Sequence, residues 1–307
     1  MSLPFQGIRT FAKCQHSQQP QTEFVVVGLP VDTAATNRSG SRHGPGAIRN
    51  ASAMLSDGVC EQWPGLVSAN ITDLGDIDIS TGNTNSALQE IQTVMQQLQN
   101  ADLHVISLGG DHLVTLAILR AMHERYPQLA CLHLDAHCDV SVKTDQPHQG
   151  HGAWLYKSIT EGLLNPNHVI SVGVRAPAWP ENKQWFLNQG GIVISARQAQ
   201  KYSAASMADI IKAKIGNMPC YFTLDVDCLD PVHAPGTGMP VIGGISSMWV
   251  EELIDALAEL NFVGMDCVEV IPAYDHSEIT SLAAASFCWR YISQRIYLRI
   301  KDLTSGQ

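Results

Sequence analysis

An α/β fold built on a parallel sheet is what this chain of 307 residues predicts. Two observations carry the prediction. Short β-branched runs alternate with helical patterns almost throughout, the rhythm of strand–crossover–strand units. The strand-like runs are also apolar at nearly every position, as in EFVVVGL at 23–29. A strand loses its polar alternation when both of its faces are buried, which is the condition of a parallel sheet covered by helices. No Pro/Gly/Ser tract or internal repeat divides the chain, so residues 23–307 are read as a single domain. The Gln-rich residues 1–22 are read as a polar N-terminal extension that packs late or contacts a neighbouring subunit.

Taken in order, the strands are expected at 23–29, 66–73, 104–108, 129–135, 168–174, 191–195, 219–225 and 262–270. Helices are expected between them at 45–55, 86–101, 112–125, 152–162, 182–189, 204–216 and 247–260, with a last one at 277–300. Pro45, following Arg42-His43-Gly44, opens the first helix, where its missing N–H costs nothing. Gly109 and Gly110 let the chain turn sharply from the third strand into the helix that follows. At the start of the last helix, Asp275-His276-Ser277-Glu278 has capping-box spacing: Asp275 can cap while Glu278 reaches back.

Composition narrows the function. A hydrophobic content of 45% with 16% charged residues describes a folded globular chain. The net charge of −10 and pI near 5.6 exclude a basic nucleic-acid surface, and the scattered tryptophans make no stacking platform for bases. An acidic molecule suits cationic small molecules better. The eight cysteines show no CxxC pair or zinc-finger spacing, and Cys131, Cys138, Cys220, Cys228 and Cys267 lie in or beside apolar runs, as core thiols do. With no secretory apolar segment and no run long enough to span a bilayer, the expectation is a cytoplasmic protein without membrane contact. The glycine-rich 234–244 lacks the Lys-Ser/Thr of a phosphate loop and is read as a rigid turn at the mouth of a site.

The chemistry lies in two runs with ligand residues at every second position, Asp135-Ala-His137-Cys-Asp139 and Asp225-Val-Asp227, the latter leading to Asp230. In an extended chain such residues project from one face. Carboxylates crowded on one side of a sheet repel one another unless cations sit between them. Because ligands of open parallel sheets bind beyond the C-terminal strand ends, Gly109–His112, both Asp runs and Glu269 are expected on one rim. Six metal ligands follow: His112, Asp135, His137, Asp139, Asp225 and Asp227. Their four carboxylates balance two divalent cations, and the oxygen-rich set suits manganese better than zinc. Cys138 and Cys228 alternate with the ligands and are excluded. The alternative for the Asp pairs is helix capping or an Asx-turn; for a single His at a strand–helix junction it is a structural role.

These residues lie in segments that resemble the ureohydrolase (arginase/agmatinase) signatures: SLGGDH at 107–112, LDAHCD at 134–139 and TLDVDCLDPVHAPGTGMPVIGG at 223–244. MDCVEVIPAYDHSEIT at 265–280, RSGSRHGPGAIR at 38–49 and HGAWLYKSITEGLLNPNH at 151–168 look like the bacterial agmatinase branch, so the similarity runs from about 23 to 285. The resemblance implies a three-layer α/β/α fold around an eight-stranded parallel sheet, two Mn²⁺ per subunit, and a homotrimer or homohexamer. It implies hydrolysis of agmatine, a small cationic guanidino substrate, to putrescine and urea. Carried over, one metal is held by His112, Asp135, Asp139 and Asp225, and the other by His137, Asp135, Asp225 and Asp227, so that Asp135 and Asp225 bridge. Glu269 has the charge and planarity to accept paired guanidinium N–H donors, and the VEV-x-P resemblance assigns it to substrate binding. His151 matches the family's His-Gly motif and becomes the general acid that protonates the departing amine. His133, alternating with Asp135, is read as a partner of that ligand; His148 has no motif support.

Three features depart from the agmatinase pattern. The loop 140–150 (VSVKTDQPHQG) differs: Lys143 suits a substrate carboxylate, as in guanidinobutyrate or guanidinopropionate, whereas Asp145 suits a distal amine. Ala153 stands where Thr usually follows His-Gly, and Met239 replaces a frequent Thr or Ser. The alternatives to agmatine hydrolysis are therefore a ureohydrolase for another guanidino compound and a non-catalytic metal-binding scaffold of the same fold.

Overall fold

The structure is a computed structural model and describes residues 3, 5–80, 82–141 and 150–305. One sheet contains β1 (Gln15–His16), β2 (Phe24–Gly28), β3 (Ile71–Asp76), β4 (His104–Leu108), β5 (Ala130–Leu134), β6 (Val169–Val174), β7 (Ile192–Ser195), β8 (Cys220–Asp225) and β9 (Phe262–Val268). Their order across the sheet is β1-β3-β2-β4-β9-β8-β5-β6-β7, and every described pairing is parallel. The helices are α1 (Gly44–Ser52), α2 (Val67–Asn70), α3 (Thr84–Asn100), α4 (Val114–Met122), α5 (Trp154–Thr160), α6 (Pro180–Asn188), α7 (Ala196–Ala199), α8 (Ala204–Ile215), α9 (Ser247–Ala256) and α10 (Ile279–Ser305).

The expected eight strands become nine because β1, from the segment read as a polar extension, adds an edge strand beside β3. Its anchor is apolar: Phe11 and Ala12 are fully buried, and the Phe11 amide donates to Asp73 Oδ2 at 2.8 Å. Composition averaged over residues 1–22 hid this short buried insert. The strand expected from 66 starts later, at Ile71, because 67–70 coil into α2, where Asn70 Nδ2 donates to the Leu66 carbonyl. At α10, Asp275 caps as expected, accepting from the Thr280 and Ser281 amides at 2.8 Å. Glu278 makes no reciprocal bond; at φ 59° it sits outside the helix.

Alternate strand residues feed two cores. Val26, Leu132, Val172, Phe222 and Cys267 face α1, α2, α7, α8, α9 and α10, whereas Val25, Val27, Cys131, Tyr221 and Val268 face α3, α4, α5 and α6. That is a three-layer arrangement, and both faces of the sheet are buried as the apolar runs required. Against the second layer runs a polar row. Strand register sets Ser107 (β4) beside Asp266 (β9), Asp266 beside Thr223 (β8), Thr223 beside His133 (β5) and His133 beside Ser171 (β6). All five are fully buried. The row crosses the sheet directly beneath the C-terminal strand ends.

Candidate metal centre and active site

Four neighbouring strands, β4, β9, β8 and β5, end on one rim and supply the predicted residues. The strands do not themselves carry the ligand runs. β5 stops at Leu134 and β8 at Asp225, so Asp135–Asp139 and Val226–Asp227 lie in the turns that follow. The every-second-residue geometry expected from extended chain is replaced by turns that the carboxylates stabilise themselves. Asp135 Oδ1 accepts from the His137 amide at 2.6 Å, Asp225 Oδ1 from the Asp227 amide at 2.8 Å, and Asp227 Oδ1 from the Ala136 amide at 3.0 Å. The Asx-turn and ligand readings are thus compatible: in Asp225 and Asp227 one oxygen holds a turn and the other faces the centre, while Asp135 Oδ1 does both. Asp139 and Glu269, at φ 50° and 67°, occupy the left-handed region, a local strain that marks functional sites.

The outward-facing atoms form two groups. His112 Nδ1 lies 3.1 Å from Asp135 Oδ2 and 3.3 Å from both Asp139 Oδ2 and Asp225 Oδ2. His137 Nδ1 lies 2.9 Å from Asp227 Oδ2 and 3.3 Å from Asp135 Oδ1, so Asp135 touches both groups. The state of His112 follows from its other nitrogen. Thr223 Oγ1 donates to Asp266 Oδ1 at 2.6 Å, so it accepts from His112 Nε2–H at 2.8 Å. Nδ1 is buried, faces three carboxylates and has no hydrogen-bond partner; in the neutral ring it is the nitrogen that carries the lone pair. A lone pair and three anionic oxygens around one point are stable only with positive charge between them, so this donor set fits a cation. Zinc-selecting thiols are absent from both groups.

Without a cation, protons must take its place. Burial, then Asp227 and Asp135, push the Asp225 carboxyl well above the usual range, and burial with Asp135 raises Asp139 to about 6. His137 is depressed by burial but lifted by Asp227 and Asp135 to about 12. Asp135 moves the other way: burial opposes its charge, yet the adjoining His112, His133 and His137 rings hold it well below the carboxylate range.

Glu269 and His151 face the same cavity of about 280 Å³, lined also by Thr36, Trp179 and Met239. They are paired: His151 Nδ1 donates to Glu269 Oε1 at 2.6 Å, and Oε1 also accepts from the His112 amide at 2.8 Å. Burial lowers His151, but Glu269 outweighs it and lifts the ring to about 9. Gly110 lets the strand ends converge: a Cβ there would stand 1.8 Å from the Val31 carbonyl oxygen. Its φ is not left-handed, so close approach, more than turning freedom, demands the glycine.

A model of the arginase family matches residues 22–293. The chain belongs to the arginase family. It is 41% identical to an agmatinase from Serratia proteamaculans (strain 568) over 86% of this chain and 84% of that one. A hypothetical agmatinase from Burkholderia thailandensis superposes with a TM-score of 0.90 at 33% identity, covering 97% of this chain and 93% of the other. Proclavaminate amidino hydrolase from Streptomyces clavuligerus superposes at 0.89 with 34% identity, over 95% and 100%.

In this arginase-family chain, all eight residues singled out from sequence converge on one rim. Around them lie one partner read from the sequence and others that emerge only in space. His133 spends both nitrogens on neighbours, Nε2 on Asp135 Oδ2 at 2.8 Å and Nδ1 on Ser171 Oγ at 3.0 Å, and so orients Asp135 as anticipated. Trp154 stacks on His112 with centroids 5.0 Å apart and meets His133 edge-on. Asp266 accepts hydroxyls from Thr223, Thr115 and Tyr221 and thereby fixes the His112 tautomer. No motif spacing signals the contacts of Trp154 and Asp266. Asp230 accepts from the Val232, Gly243 and Gly244 amides and pins the glycine-rich turn. Lys143, Asp145 and His148 lie outside the described residues.

Proposed function

We propose that this protein is a binuclear manganese ureohydrolase that hydrolyses agmatine to putrescine and urea. The observation that carries the proposal is the unpartnered His112 Nδ1 facing three carboxylates, with Glu269 and His151 opening onto the same cavity. Similarity to agmatinases over most of the chain supports agmatine among guanidino compounds. His112, Asp135, Asp139 and Asp225 would hold one ion, and His137, Asp227, Asp135 and Asp225 the other. When bound, the two ions supply the Lewis acidity that makes water nucleophilic near neutral pH.

The chain does the rest. Glu269, its charge held in place by the His112 amide, accepts guanidinium N–H donors and aims the guanidinium carbon at the centre. His151, kept protonated by Glu269, gives its proton to the departing amine as the C–N bond breaks. All eight cysteines are buried and unpaired, which supports a reducing cytoplasm. Among the described residues no helix is long and apolar enough to cross a membrane. Assembly into a homotrimer or homohexamer belongs to the same reading.

Manganese-loaded protein assayed for urea with agmatine, guanidinobutyrate, guanidinopropionate and arginine tests the proposal. Agmatine is expected to give the highest kcat/KM. Preference for a guanidino acid would replace it with the sister activity, and full metal occupancy with no urea from any guanidine would leave the scaffold reading.

A further inference from the structure

We propose that Thr36 is the anchor that keeps His151 in place when a guanidinium group takes over Glu269, making Thr36 a positioning residue for the proton shuttle. The proposal rests on the function argued above and extends it to a residue outside the recognised motifs.

Both ring nitrogens of His151 are engaged, Nδ1 with Glu269 at 2.6 Å and Nε2 with Thr36 Oγ1 at 2.9 Å. Glu269 Oε1 already accepts two bonds, from His151 Nδ1 at 2.6 Å and from the His112 amide at 2.8 Å, which fills both of its acceptor sites, so a guanidinium that uses both oxygens must displace the side chain, the backbone amide being fixed. Substrate must therefore displace one of the two contacts of His151, and the Glu269 side is the one it competes for. Nδ1–H then faces the guanidinium nitrogen that leaves, while Nε2–H keeps donating to Thr36 Oγ1. Proton transfer balances on this arrangement: the Nδ1 proton moves to the amine nitrogen as its bond to carbon breaks, and the ring remains as the neutral Nε2–H tautomer.

The fold makes Thr36 a fixed point. Its loop, between β2 and α1, is tied by the Ala34 amide to Asp111 Oδ2 at 2.9 Å, by the Gly40 amide to Asp32 Oδ2 at 2.9 Å, and by Asn37 Nδ2 to the Gly238 carbonyl at 3.0 Å. The His151 amide donates to the Ala34 carbonyl of the same loop at 3.0 Å, so ring and anchor move together. The Thr36 amide, at 3.4 Å, can donate to Nε2 only when that nitrogen is unprotonated, so in the protonated ring the Nε2–H bond to Oγ1 replaces it. The other charged groups acting on the ring are Glu269, Asp139 and Asp111. None of them lies on the loop that holds Nε2.

The experiment compares wild type, Thr36→Val and Thr36→Ser, all manganese-loaded. Valine keeps the shape and removes the acceptor. It is expected to lower kcat about tenfold with KM little changed, and to move the alkaline limb of kcat to lower pH, because the imidazolium loses a hydrogen bond. Serine is expected to restore both. A wild-type crystal soaked in guanidinium chloride supplies a readout independent of turnover: Nε2 stays on Thr36 Oγ1 while Nδ1 leaves Glu269. A valine variant with wild-type kcat and pH profile overturns the proposal, as does a soaked structure with His151 still on Glu269 or swung off Thr36. If wild type cleaves a guanidino acid in place of agmatine, the agmatinase reading alone falls, and the same ratios on that substrate decide on Thr36. Cleavage of no guanidine would overturn both.

Discussion

Each carboxylate of the centre has two oxygens, and the fold uses them differently. Asp225 Oδ1 holds its turn through the Asp227 amide while Oδ2 faces His112 Nδ1. Asp225→Ala should therefore lose bound manganese and urea release together, checked by metal analysis beside the assay; retained metal would sink the ligand assignment. Among the described hydrogen bonds and ion pairs the His151 ring meets Glu269 and Thr36 and none of the proposed ligands, so His151→Phe should keep both ions and slow turnover about a hundred- to ten-thousand-fold. The pH dependence follows from the pair. His151 is raised to about 9, so the protonated form that a general acid needs is present below that value and lost above it. Glu269→Gln removes the charge that raises it, and should both increase KM and shift the alkaline limb of kcat/KM to lower pH. An unmoved limb would count against the pairing.

Strands and helices hold these residues through a few buried polar ties. Arg49 on α1 meets Asp73 on β3 through Nε–Oδ2 at 2.8 Å and Nη2–Oδ1 at 2.9 Å, and Asp73 also accepts the Phe11 amide that anchors the segment before β1. Arg49 is only 5% exposed. Asp73→Ala leaves that guanidinium buried with Asp76 as its remaining acid partner among the described residues, and should cost about 3–5 kcal/mol in a denaturant titration. The Asp275 cap of α10 is partly solvated, so Asp275→Ala should cost about 1 kcal/mol. Equal losses would show that the ties do not differ as burial suggests. The glycine-rich turn works at the same scale: pinned by Asp230, it brings Met239 to the cavity wall.

For the whole molecule, the centre links metal, protons and stability. A site whose ligands repel in the folded state stabilises that state when filled, by about 2.7 kcal/mol at a hundred times the dissociation constant. Manganese should raise Tm, and a chelator should lower it to the metal-free value. Loading should also release protons. At pH 7 His137, raised to about 12, holds a proton that an ion must displace, and below about 6 Asp139 adds another. Unbuffered protein should therefore acidify on addition of Mn²⁺, and affinity should fall as pH drops; a pH-stat titration without proton release would exclude this arrangement.

The sequence by itself determined the parallel α/β class, because apolar runs without alternation have no stable place except a sheet covered on both faces. It also singled out the candidate ligand set, since acidic and imidazole residues clustered so closely point to a cation. Tertiary structure alone decided what surrounds them. The order β4-β9-β8-β5 set His112, Glu269 and both Asp runs side by side, and strand register aligned Ser107, Asp266, Thr223, His133 and Ser171 in one buried row. Neighbours in that row are tens of residues apart in the chain, so no local spacing encodes them. Thr36 was invisible for the same reason: its hydroxyl gains meaning only from a histidine that the fold brings to 2.9 Å.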